Sequence, residues 1–231
     1  MNDRSTVNSR IGGYHMSNTI LDKIFENKIV AIIRGIGSDR ILDTVSALLE
    51  GGVKLLEVTF NQDDQEKALD TLRCLELIKK NFGDQVCLGA GTVITAEQVV
   101  SAVNAGAEYI ISPNTDINVI QKTKALDKIS IPGAFTPSEM VTAYHAGADI
   151  VKLFPAGILG TEYIKALLAP LSHIPVVAVG GVNVDNVDQF IKVGAKGVGV
   201  GGNLVDKKAI YAGDYDKIKQ VAQDYIKKLK G

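Results

Sequence analysis

A lysine lies inside an apolar segment of the sequence, where its amine could act as a nucleophile. Residues 150–155 read Ile-Val-Lys-Leu-Phe-Pro. Because side chains alternate along a strand, Lys152 shares a face with Ile150 and Phe154. Burial disfavours the charged ammonium and lowers its pKa, and a neutral amine is the form that attacks a ketone to give a Schiff base. The alternative is a lysine that points outward between helices with only its stem buried, and position alone leaves both open.

A glutamate lies in a second apolar segment, residues 53–60. By the same alternation, Glu57 shares a strand face with Thr59 and Asn61. A carboxylate at the end of a strand can act as a general base and carry protons during a reaction. The alternative is a buried ion pair, for example with Lys152, and such a pair would tune the pKa values of both groups.

An arginine follows directly on the first apolar segment, residues 29–33. Arg34 shares a strand face with Val30 and Ile32. Its guanidinium could hold a carboxylate or a phosphate through two parallel hydrogen bonds. The alternative is a salt bridge between Arg34 and Glu57.

Glycine-rich turns follow three of the apolar segments. Residues 180–183 read Gly-Gly-Val-Asn, residues 199–203 read Gly-Val-Gly-Gly-Asn, and residues 89–92 read Gly-Ala-Gly-Thr. Small residues let an oxyanion approach backbone N–H groups closely. In α/β barrels the loops after the last two strands often bind phosphate. The turns at 180–183 and 199–203 therefore predict a phosphate site.

The arrangement of the segments predicts the fold. Eight short segments, most of them rich in valine and isoleucine, indicate buried strands, at 29–33, 53–60, 86–88, 109–111, 129–131, 150–154, 176–179 and 197–200. Helical periodicity lies between most of them, at 39–50, 64–80, 96–105, 138–146 and 185–193, and again at 214–230. Strands that alternate with helices pair in parallel through right-handed crossovers. The pattern predicts an α/β fold, a (β/α)8 TIM barrel, with residues 16–231 as one domain.

Glycines also recur where the predicted helices end. Gly52, Gly106, Gly147 and Gly194 each lie between a helical segment and the next strand. Glycine at this position commonly ends a helix in the left-handed conformation. We therefore expect a positive φ at each of the four.

Composition narrows the classes of function. The chain has 231 residues, of which 46% are hydrophobic and 22% charged, with a net charge of -1. The balanced charge does not favour a nucleic acid or a membrane surface as partner, and no apolar stretch is long enough to span a bilayer. Residues 1–15 are polar and lack the apolar core of an export signal, so we interpret them as a vector-derived leader before Met16.

The cysteines and histidines indicate neither disulfides nor a metal site. Cys74 and Cys87 lie in a helical and an apolar segment, as small core residues do, and fit a reduced, cytoplasmic setting. The three histidines are His15, His145 and His173, and no pair has the spacing of a metal site. We predict no metal.

A set of ordered motifs resembles the family of 2-keto-3-deoxy-6-phosphogluconate (KDPG) and 4-hydroxy-2-oxoglutarate (KHG) aldolases. The match extends over nearly all of residues 20–225. The motifs are IVAIIRG (29–35), GGVKLLEVTF (51–60), GAGTV (89–93), ISPN (111–114), IPGAFTPSE (131–139), VKLFPA (151–156), VGGVN (179–183) and GVGVGGNLV (197–205). An ordered set of this length is far more specific than any single motif.

The resemblance implies a role for each site residue. Lys152 would be the Schiff-base lysine and Glu57 the general acid and base. Arg34 and Thr92 would hold the carboxylate end of the substrate, and Pro113 and Phe154 would form pocket walls. The phosphate end is implied for the glycine turns, at Gly180, Gly181, Gly201, Gly202 and the adjoining Asn203.

The resemblance also implies a class I aldolase that splits a short, phosphorylated 2-keto acid into pyruvate and an aldehyde. The iminium formed on Lys152 is the electron sink, so no metal or organic cofactor is required. The resemblance further implies a homotrimer.

Three positions depart from the pattern of many family members. Asn61 stands where many have arginine, Val179 where many have threonine, and Asn203 where many have serine. Asn61 and Val179, with Asn114, resemble instead the relatives that cleave the galactonate epimer of KDPG. The choice between KDPG, KHG and the galactonate analogue, and the need for a phosphate, therefore stay open.

Two other classes of function are alternatives to the aldolase. One is a different phosphate-sugar barrel enzyme, such as an epimerase or isomerase, but metal-dependent epimerases need strand histidines that this chain lacks. The other is a barrel without catalytic activity that serves as a binding module. That class predicts loss of the lysine or the glutamate, and both are present.

Overall fold

All eight predicted strands are present in the computed structural model, which describes residues 20–230. The strands are β1 (Ile29–Ile33), β2 (Leu55–Thr59), β3 (Cys87–Gly91), β4 (Tyr109–Ile111), β5 (Ile129–Ile131), β6 (Gly133–Ala134), β7 (Val151–Leu153), β8 (Val176–Val179) and β9 (Gly197–Val200). The helices are α1 (Ile20–Asn27), α2 (Ile41–Glu50), α3 (Gln65–Phe82), α4 (Ala96–Asn104), α5 (Ile117–Ala125), α6 (Pro137–His145), α7 (Ala156–Leu168), α8 (Val187–Lys192), α9 (Lys207–Tyr211) and α10 (Tyr215–Lys230). The proposed leader, residues 1–15, lies outside the described residues.

The strands form one parallel sheet in the order β5-β4-β3-β2-β1-β9-β8-β7-β6. Strands β5 and β6 are two parts of the fifth predicted strand, separated by Pro132, which has no N–H to donate to the sheet. The interrupted strand still joins both edges. The N–H of Ser112 donates to the carbonyl of Ile131 at 3.2 Å, and the N–H of Lys152 donates to that of Pro132 at 2.8 Å. The sheet therefore closes on itself, and the predicted TIM barrel is confirmed.

The four glycines predicted to end helices adopt the left-handed conformation. Their φ angles are 93° at Gly52, 106° at Gly106, 106° at Gly147 and 113° at Gly194. Each lies just beyond a helix and turns the chain into the next strand. This prediction from the sequence is confirmed.

The first helix closes one end of the barrel, and the sequence reasoning did not predict it. Ile24 of α1 is buried in the same apolar cluster as Leu55, Cys87 and Tyr109, the first residues of three strands. The helix therefore covers the amino ends of the strands. The opposite, carboxyl end stays accessible, and that is the end where barrels of this type carry their chemistry.

Small residues make room inside the barrel for larger side chains. A Cβ at Gly89 would overlap the ring of Tyr109, and a Cβ at Gly91 would overlap the side chain of Glu57. Both glycines belong to β3, where side chains at alternate positions face the barrel interior. Because β3 has no side chains at these two inward positions, Tyr109 and Glu57 can fill the space.

Candidate active site

Lys152 points into the barrel at the carboxyl end of β7. Its backbone pairs with Gly133 of β6 and Val177 of β8, and the residue is only 4% exposed. Its Nζ lies 5.1 Å from the centre of the Phe154 ring. The outward orientation, with only the stem buried, is therefore not the one observed.

The surroundings of Lys152 favour its neutral amine. Burial lowers its pKa from the ordinary value and is the largest influence, while the negative charge of Glu57 opposes this shift and Arg34 reinforces it. A lysine in such an environment can lose its proton more easily than a surface lysine.

Glu57 is the second buried ionisable group at this end of the barrel. It is 1% exposed on β2 and lies across the interior from Lys152. Neither of its carboxylate oxygens accepts a hydrogen bond from any residue between 20 and 230. Burial raises the pKa of Glu57. The positive charge of Lys152 opposes that shift, and the charge of Arg34 opposes it to a smaller extent. A carboxyl group held in this way can take up and release protons closer to neutral pH than an exposed one.

The salt bridges to Glu57 that were the alternatives to its functional role are not formed. Neither Lys152 nor Arg34 pairs directly with its carboxylate, although the charges of both affect its pKa. The carboxylate, amine and guanidinium therefore influence one another through their charges without direct contact.

Arg34 lies between two cavities at the mouth of the barrel. The first, which we call the lysine cavity, has a volume of about 260 Å³. It is lined by Ile32, Arg34, Lys152, Phe154, Val179, Gly180, Gly181, Val182, Gly199, Gly201, Gly202 and Asn203. The structure thus brings together the nucleophile candidate and every residue predicted for the phosphate end.

The glycine turns of the lysine cavity are open to a ligand on one side and packed on the other. A Cβ at Gly201 or Gly202 would meet nothing within 4 Å. Gly180 and Gly181 have φ angles of 89° and 77°, in the region that favours glycine. The side-chain Nδ2 of Asn203 donates to the carbonyl of Val182 at 2.9 Å and so ties the two turns together.

The second cavity, which we call the β2 cavity, has a volume of about 540 Å³. Its lining includes Arg34, Asn61 and Thr92, three residues that the sequence reasoning selected. The Oδ1 of Asn61 accepts the N–H of Asp63 at 2.9 Å, so this side chain also shapes the loop after β2. Arg34 contributes to both cavities, so the predicted carboxylate and phosphate ends lie on its two sides.

Two predicted site residues, Glu57 and Pro113, line neither cavity. Pro113 is exposed and lies two residues after the end of β4. Its carbonyl packs against Gly133, where a Cβ would overlap it. Because Gly133 pairs with Lys152 in the sheet, Pro113 borders the site from the β4 side.

Several residues near the site were not selected from the sequence. Tyr109 is fully buried, and its hydroxyl donates to the carbonyl of Leu56 at 2.6 Å, in the barrel core. Strand alternation places Tyr109 on one face with Ile111 but does not show that this face is inward. Lys207 and Gln62 line the β2 cavity, but no strand pattern extends to α9 or to the loop after β2.

Within residues 20–230, no group of histidine, cysteine and acidic side chains could hold a metal ion. No helix in the same range is long and apolar enough to cross a membrane.

The fold and the site together define an α/β-barrel enzyme with a buried lysine and a buried glutamate at the carboxyl ends of its strands. Residues 20–221 match the model of the KDPG and KHG aldolases. The chain belongs to this family, and the enzyme is a carbon–carbon lyase.

The relatives that are similar to this chain include a phosphogalactonate aldolase and a phosphogluconate aldolase. The 2-dehydro-3-deoxy-6-phosphogalactonate aldolase of Escherichia coli (strain K12) is 37% identical over 76% of this chain and 83% of its own length. The 2-dehydro-3-deoxy-phosphogluconate aldolase of Haemophilus influenzae is 31% identical over 94% of this chain and 99% of its own.

Solved structures of aldolases from this family are similar to the chain. The native KDPGal structure superposes with a TM-score of 0.79 at 34% identity, covering 87% of this chain and 94% of the other. The KDPG aldolase of Legionella pneumophila, with pyruvate captured as a covalent carbinolamine intermediate, has a TM-score of 0.80 at 27% identity. That comparison covers 89% of this chain and 97% of the other.

Proposed function

We propose that the chain is a class I aldolase in which Lys152 forms a Schiff base with the ketone of a short 2-keto acid. The observation that carries this proposal is that a buried lysine and a buried glutamate, which has no hydrogen-bond partner among residues 20–230, lie close enough for each charge to shift the pKa of the other. Burial lowers the pKa of Lys152, which favours the neutral amine, and raises the pKa of Glu57, which suits a group that both takes up and releases protons.

The first step is attack on the ketone. The neutral amine of Lys152 adds to C2 of the keto acid and forms a carbinolamine, which loses water to give an iminium. The captured carbinolamine in the Legionella pneumophila relative supports this chemistry for the family. Pyruvate in that structure is bound covalently, and we assign the corresponding bond in this chain to Nζ of Lys152.

The second step is cleavage of the C3–C4 bond. Glu57, through a water molecule, removes the proton of the C4 hydroxyl. The bond electrons move into the iminium, and an aldehyde leaves. The resulting enamine is protonated at C3, and hydrolysis releases pyruvate and restores the amine. The iminium takes up the electrons, so we propose that the reaction needs no metal or organic cofactor.

The two ends of the substrate bind on either side of Arg34. We assign the carboxylate end to Arg34 and Thr92, and pocket walls to Phe154 and Pro113. We assign the phosphate to the glycine turns of the lysine cavity and to Asn203. Backbone N–H groups of such turns, with no Cβ in the way at Gly201, suit a phosphate oxygen.

The substrate that we propose is KDPG, cleaved to pyruvate and glyceraldehyde 3-phosphate, with KHG, cleaved to pyruvate and glyoxylate, as a further substrate. The galactonate analogue of KDPG is a second candidate. It is favoured by Asn61 and Val179 in the two cavities and by the similarity to the Escherichia coli phosphogalactonate aldolase. The choice between KDPG and its galactonate epimer is tested by measuring kcat/KM for both epimers and for their unphosphorylated analogues.

The wider setting is also part of the proposal. We propose that residues 16–231 act as one domain, that the enzyme is a cytoplasmic homotrimer, and that its partners are small keto acids rather than nucleic acid or membrane. Light scattering of the purified protein tests the trimer. Full activity after treatment with a chelator is the expected result for an aldolase that needs no metal.

A trapping experiment tests the chemistry directly. The protein is incubated with pyruvate and borohydride, and the reduced adduct is located by peptide mass spectrometry. We expect labelling at Lys152, none in Lys152→Ala, and normal labelling in Lys196→Ala, where an exposed lysine is removed. Labelling that survives Lys152→Ala, or no labelling at all, would favour the other barrel enzymes or a binding module instead.

A further inference from the structure

Thr92 has a backbone conformation that its side chain does not favour. It directly follows β3 and has a φ of 56°, in the left-handed region. For a β-branched residue this region is a genuine outlier. Such a conformation persists only where neighbouring groups hold it, and it is most often found at functional sites.

Two glutamine side chains hold the backbone of Thr92. The Nε2 of Gln62 donates to the carbonyl of Thr92 at 2.6 Å. The Nε2 of Gln98 donates to the Oε1 of Gln62 at 2.9 Å, and the Oε1 of Gln98 accepts the N–H of Ile94 at 2.9 Å. Each amide therefore uses its donor and its acceptor in one continuous chain, which we call the glutamine relay.

The glutamine relay connects the loops that follow two neighbouring strands. Gln62 lies in the loop between β2 and α3, and Gln98 lies in the first turn of α4. Gln62 lines the β2 cavity together with Thr92, whereas Gln98 is not part of that lining. Gln98 can therefore influence a ligand of the cavity only through the residues that it holds.

We propose that Gln62 and Gln98 are positioning residues that hold Thr92 in place for the carboxylate of the keto acid. This inference rests on the proposed function, in which Thr92 binds that end of the substrate. Loss of the relay would let Thr92 relax from its disfavoured φ and move its hydroxyl and N–H away from the carboxylate. Substrate binding would weaken, while the chemistry at Lys152 would remain.

The test uses pyruvate alone and measures how fast its methyl protons exchange with deuterium by NMR. Exchange requires the iminium on Lys152 to lose a methyl proton, form the enamine and regain deuterium from solvent. Because no aldehyde takes part in the exchange, its rate reports on binding at the carboxylate end of the substrate. The informative variant is Gln98→Glu, which keeps an acceptor for the N–H of Ile94 but loses the donor to Gln62.

We expect Gln98→Glu and Gln62→Ala to raise the KM for pyruvate about 3- to 10-fold, as for one lost hydrogen bond, with a smaller change in kcat. The double variant should resemble Gln62→Ala alone. Gln220→Ala, which removes an exposed amide bonded to Asp224 on α10, should have the KM of the unaltered protein. Borohydride adducts at saturating pyruvate should form on Lys152 in every variant.

Other outcomes would overturn the inference in distinguishable ways. A raised KM in Gln62→Ala with an unchanged KM in Gln98→Glu would mean that Gln62 contacts the substrate itself. Unchanged KM values in both variants would show that the glutamine relay has only a structural role. Absence of exchange and of adduct in the unaltered protein would instead overturn the proposed function, and the relay with it.

Discussion

The side chain of Glu57 occupies the space that a Cβ at position 91 would fill. Gly91 ends β3, and its register partner on β2 is Thr59, two residues beyond Glu57 on the same face. The glutamate therefore leans along the barrel axis over a position that has no side chain. The missing side chain at position 91 thus leaves room for a carboxyl group whose charge interacts with that of Lys152.

Gly91→Ala is expected to displace Glu57 and to destabilise the fold. An added methyl group in a filled core costs about 1–3 kcal/mol in the free energy of unfolding. Urea denaturation measures this cost, and steady-state cleavage measures the loss of turnover. Full turnover in this variant would mean that the role of Glu57 does not depend on the absence of a side chain at position 91.

Glu57→Gln separates Schiff-base formation from proton transfer. Glutamine fills the same volume but cannot take up a proton, so we expect turnover to fall about 10²- to 10⁴-fold. The pyruvate adduct on Lys152 should still form under borohydride. Turnover close to that of the unaltered protein would assign the general base to another residue.

The pH dependence of trapping should respond in opposite directions to two substitutions. Arg34 lowers the pKa of Lys152, so Arg34→Met should raise it and move the onset of adduct formation to higher pH. The charge of Glu57 raises the pKa of Lys152, so Glu57→Gln should lower it and move the onset to lower pH. The rate of borohydride trapping as a function of pH measures both.

The matched control for the pH experiment is Arg73→Met, which removes an exposed arginine from α3. Its trapping profile should coincide with that of the unaltered protein. A shift of the same sign in Arg34→Met and Glu57→Gln would contradict the assignment of Lys152 as the titrating amine.

Val179→Thr should change the preference between C4 epimers. Val179 lies at the end of β8, lines the lysine cavity and is 5% exposed, so the added hydroxyl would face bound substrate. We expect the ratio of kcat/KM for KDPG over its galactonate epimer to rise about tenfold, as for one new hydrogen bond. Val184→Thr, outside the cavity, serves as control and should leave the ratio unchanged. An unchanged ratio in Val179→Thr would place epimer choice elsewhere, for example at Asn61.

Much of the fold could be predicted because its signals are local. Glycines such as Gly52 and Gly147 end helices through their own backbone freedom, and short valine- and isoleucine-rich segments indicate strands without reference to the rest of the chain. The break at Pro132 and the closing helix α1 were not predicted. The break follows from the missing N–H of Pro132, a local signal that the strand prediction did not use, whereas α1 is placed by contacts with strands that are distant in the sequence.

For the site, the order of residues along each strand is enough to show which side chains share a face. Alternation places Lys152 with Ile150 and Phe154, and Glu57 with Thr59, whatever the rest of the fold does. Alternation does not say which face is inward, because strands of a parallel barrel are buried on both sides. Only barrel closure decided that Lys152 and Glu57 face one another, and only the register of β2 and β3 placed Glu57 over Gly91. The glutamine relay to Thr92 likewise joins residues from separate loops, and such contacts exist only once the sheet has brought those loops together.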